Sequence, residues 1–320
     1  MSARWRIWLV AALASTVLAF DYSIAKVDQE TRGQRVLFHN AIVRSTADAP
    51  FRYRVLVPRV LDPLIRASSQ VMNPDAAFTR VYAAFYLIAL WALLVLLFQY
   101  LRIWFPEREA LIAILLVACT LPISLRQHYY APWSLLEPSF MTGGLLLIRR
   151  NAHAALLALT VVATLNRETG VFLPLAAIVH GLHEPRMSRE LPRPVGILAI
   201  AVIMVIGLRM MLGPASESTP LQSIWQINSS REGLLSAVGN VLLFAGVFGW
   251  PCAMLGVRRL PEFVRRQLWT AALYLPLYLV WGIWYEVRLL MPLYPVLVPA
   301  ILCGLFPSAA DHSAADVQPS

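Results

Sequence analysis

The sequence predicts an all-α fold: a polytopic transmembrane bundle of about eight to ten helices, with short broken spans and an outer-face cavity. Hydrophobic residues make up 58% of the 320 residues and charged residues only 14%, whereas soluble domains carry about 25% charged residues. The mean hydropathy is +0.62. Several apolar runs are shorter than the roughly 20 residues that cross a bilayer core. Such short spans are tolerated where their ends lie inside protein or face water, which predicts the cavity.

Ten apolar runs define the predicted membrane segments. They cover residues 5–20, 78–101, 110–125, 135–148, 154–165, 171–182, 195–212, 234–257, 268–285 and 289–306. The first run continues past a loose cleavage-site pattern, so we expect an uncleaved helix. The polar residues 166–170 predict a hairpin or broken pair over 154–182. We therefore expect one transmembrane domain over 1–306 and a disordered cytoplasmic tail over 307–320.

Arginines indicate the orientation of these segments, because cytoplasmic loops retain an excess of basic residues. With the N-terminus inside, thirteen arginines lie at the inner ends and four lie in the short outer loops. The inner set is Arg4, Arg6, Arg102, Arg108, Arg149, Arg150, Arg186, Arg189, Arg193, Arg258, Arg259, Arg265 and Arg266, and the outer set is Arg126, Arg167, Arg231 and Arg288. We expect a protein of the bacterial inner (cytoplasmic) membrane with a cytoplasmic N-terminus. The net charge of +9 then reflects membrane topology and predicts no nucleic-acid partner.

The first outer loop, residues 21–79, is long and unusually basic. Long loops cross the membrane largely regardless of charge, so the predicted topology is unaffected. The basic residues can attract anionic lipid headgroups or a phosphorylated substrate. Residues 35–44 predict a short helix on the membrane surface, with Leu37, Phe38, Ala41 and Ile42 as its apolar face.

Ionisable residues cluster at the predicted outer ends of the helices, where their cost marks candidate functional sites. Asp21 follows the first helix, Arg167 and Glu168 interrupt the short pair, and Glu286 and Arg288 divide the last two helices. Each also has a structural interpretation. Residues 166–170 suit a polar hairpin turn, Glu286 and Arg288 suit a salt bridge, and Asp21 suits the water interface.

Other residues, and the absence of common motifs, limit the kinds of active site that the sequence suggests. His128 and Tyr129 lie in an outer turn, where they suit either a substrate contact or an aromatic belt. Glu137 suits a residue that faces the cavity, whereas Pro138 beside it suits the start of a helix. The sequence has no GxxxxGK[ST], GxGxxG, HExxH, CxxC or GxSxG motif. It therefore predicts no intrinsic nucleotide site and no serine-hydrolase elbow, and these common metal-binding signatures are absent from it.

Four features of the sequence occur together. An acid directly follows the first helix, and a surface helix is predicted in the long outer loop. The segment 53–58 leads into the second membrane segment, and polar interruptions lie at 166–170 and 286–295. This arrangement resembles the GT-C superfamily of polytopic membrane glycosyltransferases, in particular small bacterial members. The resemblance implies inverting transfer of a sugar from a polyprenyl-phosphate donor to an acceptor on the extracytoplasmic face. It makes membrane lipid and the polyprenyl-phosphate-linked sugar the expected partners.

The resemblance also implies roles for individual residues. Asp21 would be the general base. Arg54, Arg167 and Arg288 would hold the lipid phosphate. Glu168 and Glu286, the other candidate catalytic residues, would orient those arginines, bind sugar hydroxyls or serve as the base instead. Some members of the superfamily use a divalent cation, Mg²⁺ or Mn²⁺, and the sequence leaves that requirement open.

The sequence departs from the superfamily pattern in two ways. Many members have two acids close together in this loop, whereas Tyr22 follows Asp21 and the next acid is Asp28. No large C-terminal extracytoplasmic domain follows the last helix. Two alternatives therefore stay open: a transporter or flippase for a lipid-linked or anionic solute, and a non-catalytic assembly subunit that acts with a membrane partner.

Overall fold

The computed structural model describes residues 3–21, 29–125, 131–183, 191–217 and 219–307. Within these ranges all regular structure is helical, apart from a single bridge between Ala49 and Glu217. The predicted all-α class is therefore confirmed. The tail predicted to be disordered, 307–320, lies outside the described residues from position 308 onward.

The helices follow the predicted apolar runs closely. In the first half they are α1 (Ala3–Phe20), α2 (Gln29–Val43), α3 (Leu56–Ser68), α4 (Pro74–Leu101), α5 (Glu107–Ser124), α6 (Trp133–Arg149) and α7 (His153–Asn166). In the second half they are α8 (Phe172–Leu182), α9 (Pro192–Leu212), α10 (Leu221–Ser229), α11 (Arg231–Phe244), α12 (Gly249–Gly256), α13 (Glu262–Arg266), α14 (Leu268–Trp281) and α15 (Tyr294–Leu305). Short 3-10 segments lie at Phe51–Tyr53, Glu168–Val171, Val257–Arg259 and Val287–Leu293.

Local sequence explains where several helices begin and end. The Asn73 side chain accepts a hydrogen bond from the backbone N–H of Asp75 at 2.9 Å, and Pro74 occupies the first turn of α4. Both features stabilise a helix N-terminus. Helix α9 also begins with a proline, Pro192, and ends at Gly213, whose φ of +74° favours glycine.

Three segments in the described part of the chain are long and apolar enough to cross a membrane: Pro74–Leu101, Pro192–Leu212 and Val287–Leu305. Helices α11 and α12, with the 3-10 turn that follows, form a fourth candidate that is bent by 64°. The sequence predicts this region as the single run 234–257, whereas the helix is broken at Gly246, which has a φ of +73°. These apolar helices indicate a membrane protein.

The two ends of helix α6 lie in chemically different surroundings. At its first residue, the Trp133 carbonyl accepts a hydrogen bond from Asn166 Nδ2 at 2.9 Å. At its last residue, the guanidinium of Arg149 lies 5.2 Å from the ring centroid of Trp104, at the end of α4. The 17 residues of α6 span about 25 Å, since a helix rises about 1.5 Å per residue. The polar turn after α7 and the basic end of α4 are therefore well apart.

The helix predicted at 35–44 is α2, which begins earlier than predicted, at Gln29. Of the predicted apolar face, Ile42 is buried in the core, Phe38 and Ala41 pack against it, and Leu37 is 71% exposed. His39 is also buried and contacts Tyr82 and Asp62 on α4 and α3. That the helix lies on a membrane surface stays a prediction.

Candidate functional site

The turn between α7 and α8 is held in an unusual backbone conformation. Arg167 is extended, with φ −166° and ψ 149°, which ends α7 at Asn166. A Cβ atom at Gly170 would lie 2.5 Å from the backbone nitrogen of Thr164, so only glycine fits there. The predicted break over 154–182 is confirmed. Its tight packing fixes the directions of Arg167 and Glu168.

Arg167 and Glu137 form a buried ion pair in this turn. Arg167 Nη1 donates to Glu137 Oε2 at 2.7 Å, and Thr169 Oγ1 donates to Glu137 Oε1 at 2.5 Å. Both carboxylate oxygens of Glu137 are therefore used. Glu137 lies in the second turn of α6, which begins at Trp133, so its predicted helix-start role is wrong. Its signal in the sequence is a carboxylate inside an apolar run.

Arg54 reaches the same region from the segment between the 3-10 turn Phe51–Tyr53 and α3. Its guanidinium carbon lies 5.1 Å from the ring centroid of Phe51 and 5.2 Å from that of Trp133. Its Nε lies 3.8 Å from Glu168 Oε2 and makes no hydrogen bond. Burial, followed by the positive charge of Arg167, lowers the pKa of Arg54 to about 9. The side chain is therefore still a cation at neutral pH.

Arg209 enters from the last turn of α9. Its Nη2 lies 3.9 Å from Glu168 Oε1, and its guanidinium carbon lies 5.3 Å from the ring centroid of Tyr53. Glu168 thus lies between two arginines that are 155 positions apart in the sequence. Arg209 is not among the residues that the sequence predicts for substrate binding. Its signal is an arginine at the end of an otherwise apolar helix.

Hydrogen bonds to the backbone hold the end of α9 against residues 49–53 of the predicted outer loop. Tyr53 Oη donates to the Gly213 carbonyl at 3.1 Å, and Arg52 Nη1 donates to the Pro214 carbonyl at 2.6 Å. The Ala49 backbone N–H donates to the Ser216 carbonyl at 2.7 Å. These contacts bring Arg209 to the same wall as Arg54.

These side chains line a cavity of about 770 Å³. Its charged lining consists of Arg54, Arg167, Arg209, Glu168 and Glu217. Its aromatic lining consists of Tyr53, Tyr274, Tyr278 and Trp281. Arg167 is already paired with Glu137, so the charges of Arg54 and Arg209 are balanced by those of Glu168 and Glu217. The guanidinium groups of Arg54 and Arg209 still supply hydrogen-bond donors that suit an anion.

An apolar groove of about 290 Å³ adjoins this cavity. Glu168, Thr169 and Leu277 line both spaces. The rest of the groove is formed by Val171, Phe172, Val202, Val205 and Ile206. A charged space beside a mainly apolar one suits an amphiphile with an anionic head and an apolar chain.

The remaining predicted site residues lie outside this cavity. Arg288 Nη2 donates to Glu286 Oε2 at 2.9 Å, and both side chains are buried. This is the salt bridge that the sequence leaves open as the structural interpretation of the pair. Asp21 lies half-buried at the end of α1 and does not line the cavity. The predicted substrate contacts His128 and Tyr129 fall outside the described residues.

The carboxylates of Glu137, Glu168 and Glu286 do not fit a divalent cation. Glu137 and Glu286 each bind an arginine, and Glu168 lies between two more. In the described ranges, no group of three or more His, Cys, Asp and Glu side chains could hold a metal ion. The arginines would repel a cation at each of these positions.

Comparisons with protein-family models, curated proteins and solved structures find no match for this chain. Its function is therefore inferred from the chemistry of the site.

Proposed function

We propose that this protein is an integral membrane glycosyltransferase. It would transfer a sugar from a polyprenyl-phosphate donor to an acceptor hydroxyl on the extracytoplasmic face. One observation carries the proposal: an arginine-lined cavity adjoins an apolar groove, and Glu168 lines both. Guanidinium groups suit a phosphate, the groove suits a prenyl chain, and a carboxylate at the boundary suits proton abstraction.

The same proposal places the cavity at the outer face of a polytopic bundle in the bacterial inner membrane. The two ends of α6 support this orientation. Arg149 lies at the end opposite the cavity, next to the helix end that carries Arg102, and the cytoplasmic side of membrane proteins is enriched in arginine. The N-terminus would then be cytoplasmic.

In the proposed reaction, the acceptor oxygen attacks the anomeric carbon from the side opposite the phosphate, which inverts that centre. The bond between the anomeric carbon and the phosphate oxygen breaks, and its electron pair leaves with the phosphate. The arginines stabilise the charge that develops on this leaving group. The proton of the acceptor hydroxyl passes to a carboxylate.

We assign that carboxylate to Glu168. Among Asp21, Glu168 and Glu286, it is the one that lines the cavity. Glu286 is also engaged by Arg288 at 2.9 Å. The superfamily resemblance favours Asp21 instead, so the two assignments make different predictions.

The test is transfer from a radiolabelled polyprenyl-phosphate-sugar pool in membranes that carry the wild type, Glu168→Gln or Asp21→Asn. Glu217→Gln is the matched control, because Glu217 also lines the cavity. We expect Glu168→Gln to lower transfer by about 100-fold or more, since general bases contribute about 10²–10⁴-fold. Asp21→Asn and Glu217→Gln should retain most of the activity.

Two results would overturn parts of this proposal. Loss of transfer in a folded Asp21→Asn protein, with Glu168→Gln active, would make Asp21 the base. No transfer from any donor by the folded wild type would reject the enzyme. That result would favour the transporter or partner-subunit alternative.

A further inference from the structure

The arginines around Glu168 divide into two classes by the way they are paired. Arg167 and Arg288 each form a hydrogen-bonded pair with a separate carboxylate, at 2.7 and 2.9 Å. Arg54 and Arg209 instead approach the one carboxylate of Glu168 at 3.8 and 3.9 Å. These two distances exceed the 2.7–3.2 Å that is typical of a hydrogen bond. Glu168 therefore compensates the charge of both arginines without hydrogen bonding to either at these atoms.

Hydrogen-bonding capacity is left unused on both sides of this contact. Arg54 is only 8% exposed, and its buried Nε has no hydrogen-bond partner. Glu168 Oε1 is also buried without a hydrogen bond. Buried polar atoms normally find a partner, because leaving one unsatisfied is costly. Arg54, Arg209 and Glu168 all line the 770 Å³ cavity.

We infer that Arg54 and Arg209 are the phosphate-binding pair of the cavity, and that the Glu168 carboxylate occupies their shared position as an internal stand-in for the phosphate. The oxygens of a phosphate group can accept hydrogen bonds from both guanidinium groups, which the single tethered carboxylate does not do here. The ligand class is a phosphate group, either on a lipid or free in solution.

Phosphate binding would then displace Glu168 from between the two arginines. The displaced carboxylate stays in the cavity, where it becomes available to accept a proton. This second step rests on the proposed glycosyltransferase function, whereas the binding pair does not. Occupation of the phosphate position would thereby prepare the base only when a donor is present.

The binding pair is tested by isothermal titration calorimetry on the full-length protein in detergent, with farnesyl phosphate and inorganic phosphate as separate probes. Glu168→Gln keeps the shape of the side chain and removes its competing charge. Arg209→Gln removes one arginine whose side chain is 57% exposed, so its fold should survive. Arg59→Gln is the matched control, because Arg59 is exposed on α3 and does not line the cavity.

We expect Glu168→Gln to bind farnesyl phosphate about fivefold more tightly than the wild type, and Arg209→Gln about fivefold more weakly. Arg59→Gln should match the wild type. Both shifts should shrink at high salt, because the contacts are electrostatic. A carboxylate that instead helps to orient the ligand would give weaker binding in Glu168→Gln.

Equal or weaker binding by Glu168→Gln would therefore overturn the inference, as would unchanged binding by Arg209→Gln. Preference for farnesyl phosphate over inorganic phosphate supports the pair with a lipid ligand, and equal affinity supports it with a free phosphate ligand. If the affinities follow the expected order but the protein has no transferase activity, the proposed enzyme is rejected and the phosphate-binding pair is retained.

Discussion

The buried ion pair between Glu137 and Arg167 should be essential to the stability of the site. The two side chains are only 5% and 12% exposed, and their charged atoms are 2.7 Å apart. At an effective dielectric constant of about 20, their Coulomb attraction is about 6 kcal/mol. Desolvation offsets much of that gain, but removing one partner still leaves a buried charge at a cost of about 3–5 kcal/mol.

We therefore expect Glu137→Gln to lower the free energy of unfolding by about 3 kcal/mol. This is the lower end of that range, because the glutamine amide still reaches Arg167 or Thr169. The measurement is SDS-induced unfolding of the purified protein in mixed micelles. Glu262→Gln is the matched control, because Glu262 also contacts an arginine, Arg266, at 2.5 Å but is 65% exposed. An exposed pair contributes only about 0.2–1 kcal/mol.

The double variant Glu137→Gln/Arg167→Gln completes the test. It removes the unpaired charge, so it should recover part of the stability that Glu137→Gln loses. If Glu137→Gln destabilises the protein no more than Glu262→Gln does, the pair does not hold the turn after α7.

Two further predictions concern the packing of α12 against α15 and the burial of His39 on α2. A Cβ at Gly304 would lie 2.0 Å from the Cys252 carbonyl oxygen, so Gly304→Ala should force α12 and α15 apart and cost about 1–3 kcal/mol. Gly207→Ala, which meets nothing within 4 Å, should instead be neutral or stabilising; similar melting temperatures for the two variants would contradict this reasoning. Burial lowers the pKa of His39 below its ordinary value of 6.5, so the unfolded chain binds a proton more readily than the folded protein. Stability should therefore fall as the pH drops from 7 to 5, and His39→Gln should flatten that slope in thermal unfolding measured against pH; an unchanged slope would refute the role of His39.

The apolar runs determine where the helices lie, because each long hydrophobic stretch must be helical to satisfy its backbone away from water. Residues 195–212 predict α9 within a few positions, and the polar residues 166–170 predict the break between α7 and α8. The break at Gly246 is missed, since a single glycine in an apolar run does not by itself indicate a bend. The burial of His39 on α2 is also not predicted, because it depends on contacts with Tyr82 and Asp62 on neighbouring helices.

The sequence by itself indicates a membrane protein, predicts the positions of its helices and shows that ionisable residues cluster at the helix ends. Only the tertiary structure decides which of those residues meet. It pairs Glu137 with Arg167 and Glu286 with Arg288, and it brings Arg209 to Glu168. The physical reason is that burial cost is a property of each residue, whereas charge compensation depends on distances between helices. Those distances follow from helix packing, which a pattern of hydrophobic residues does not specify.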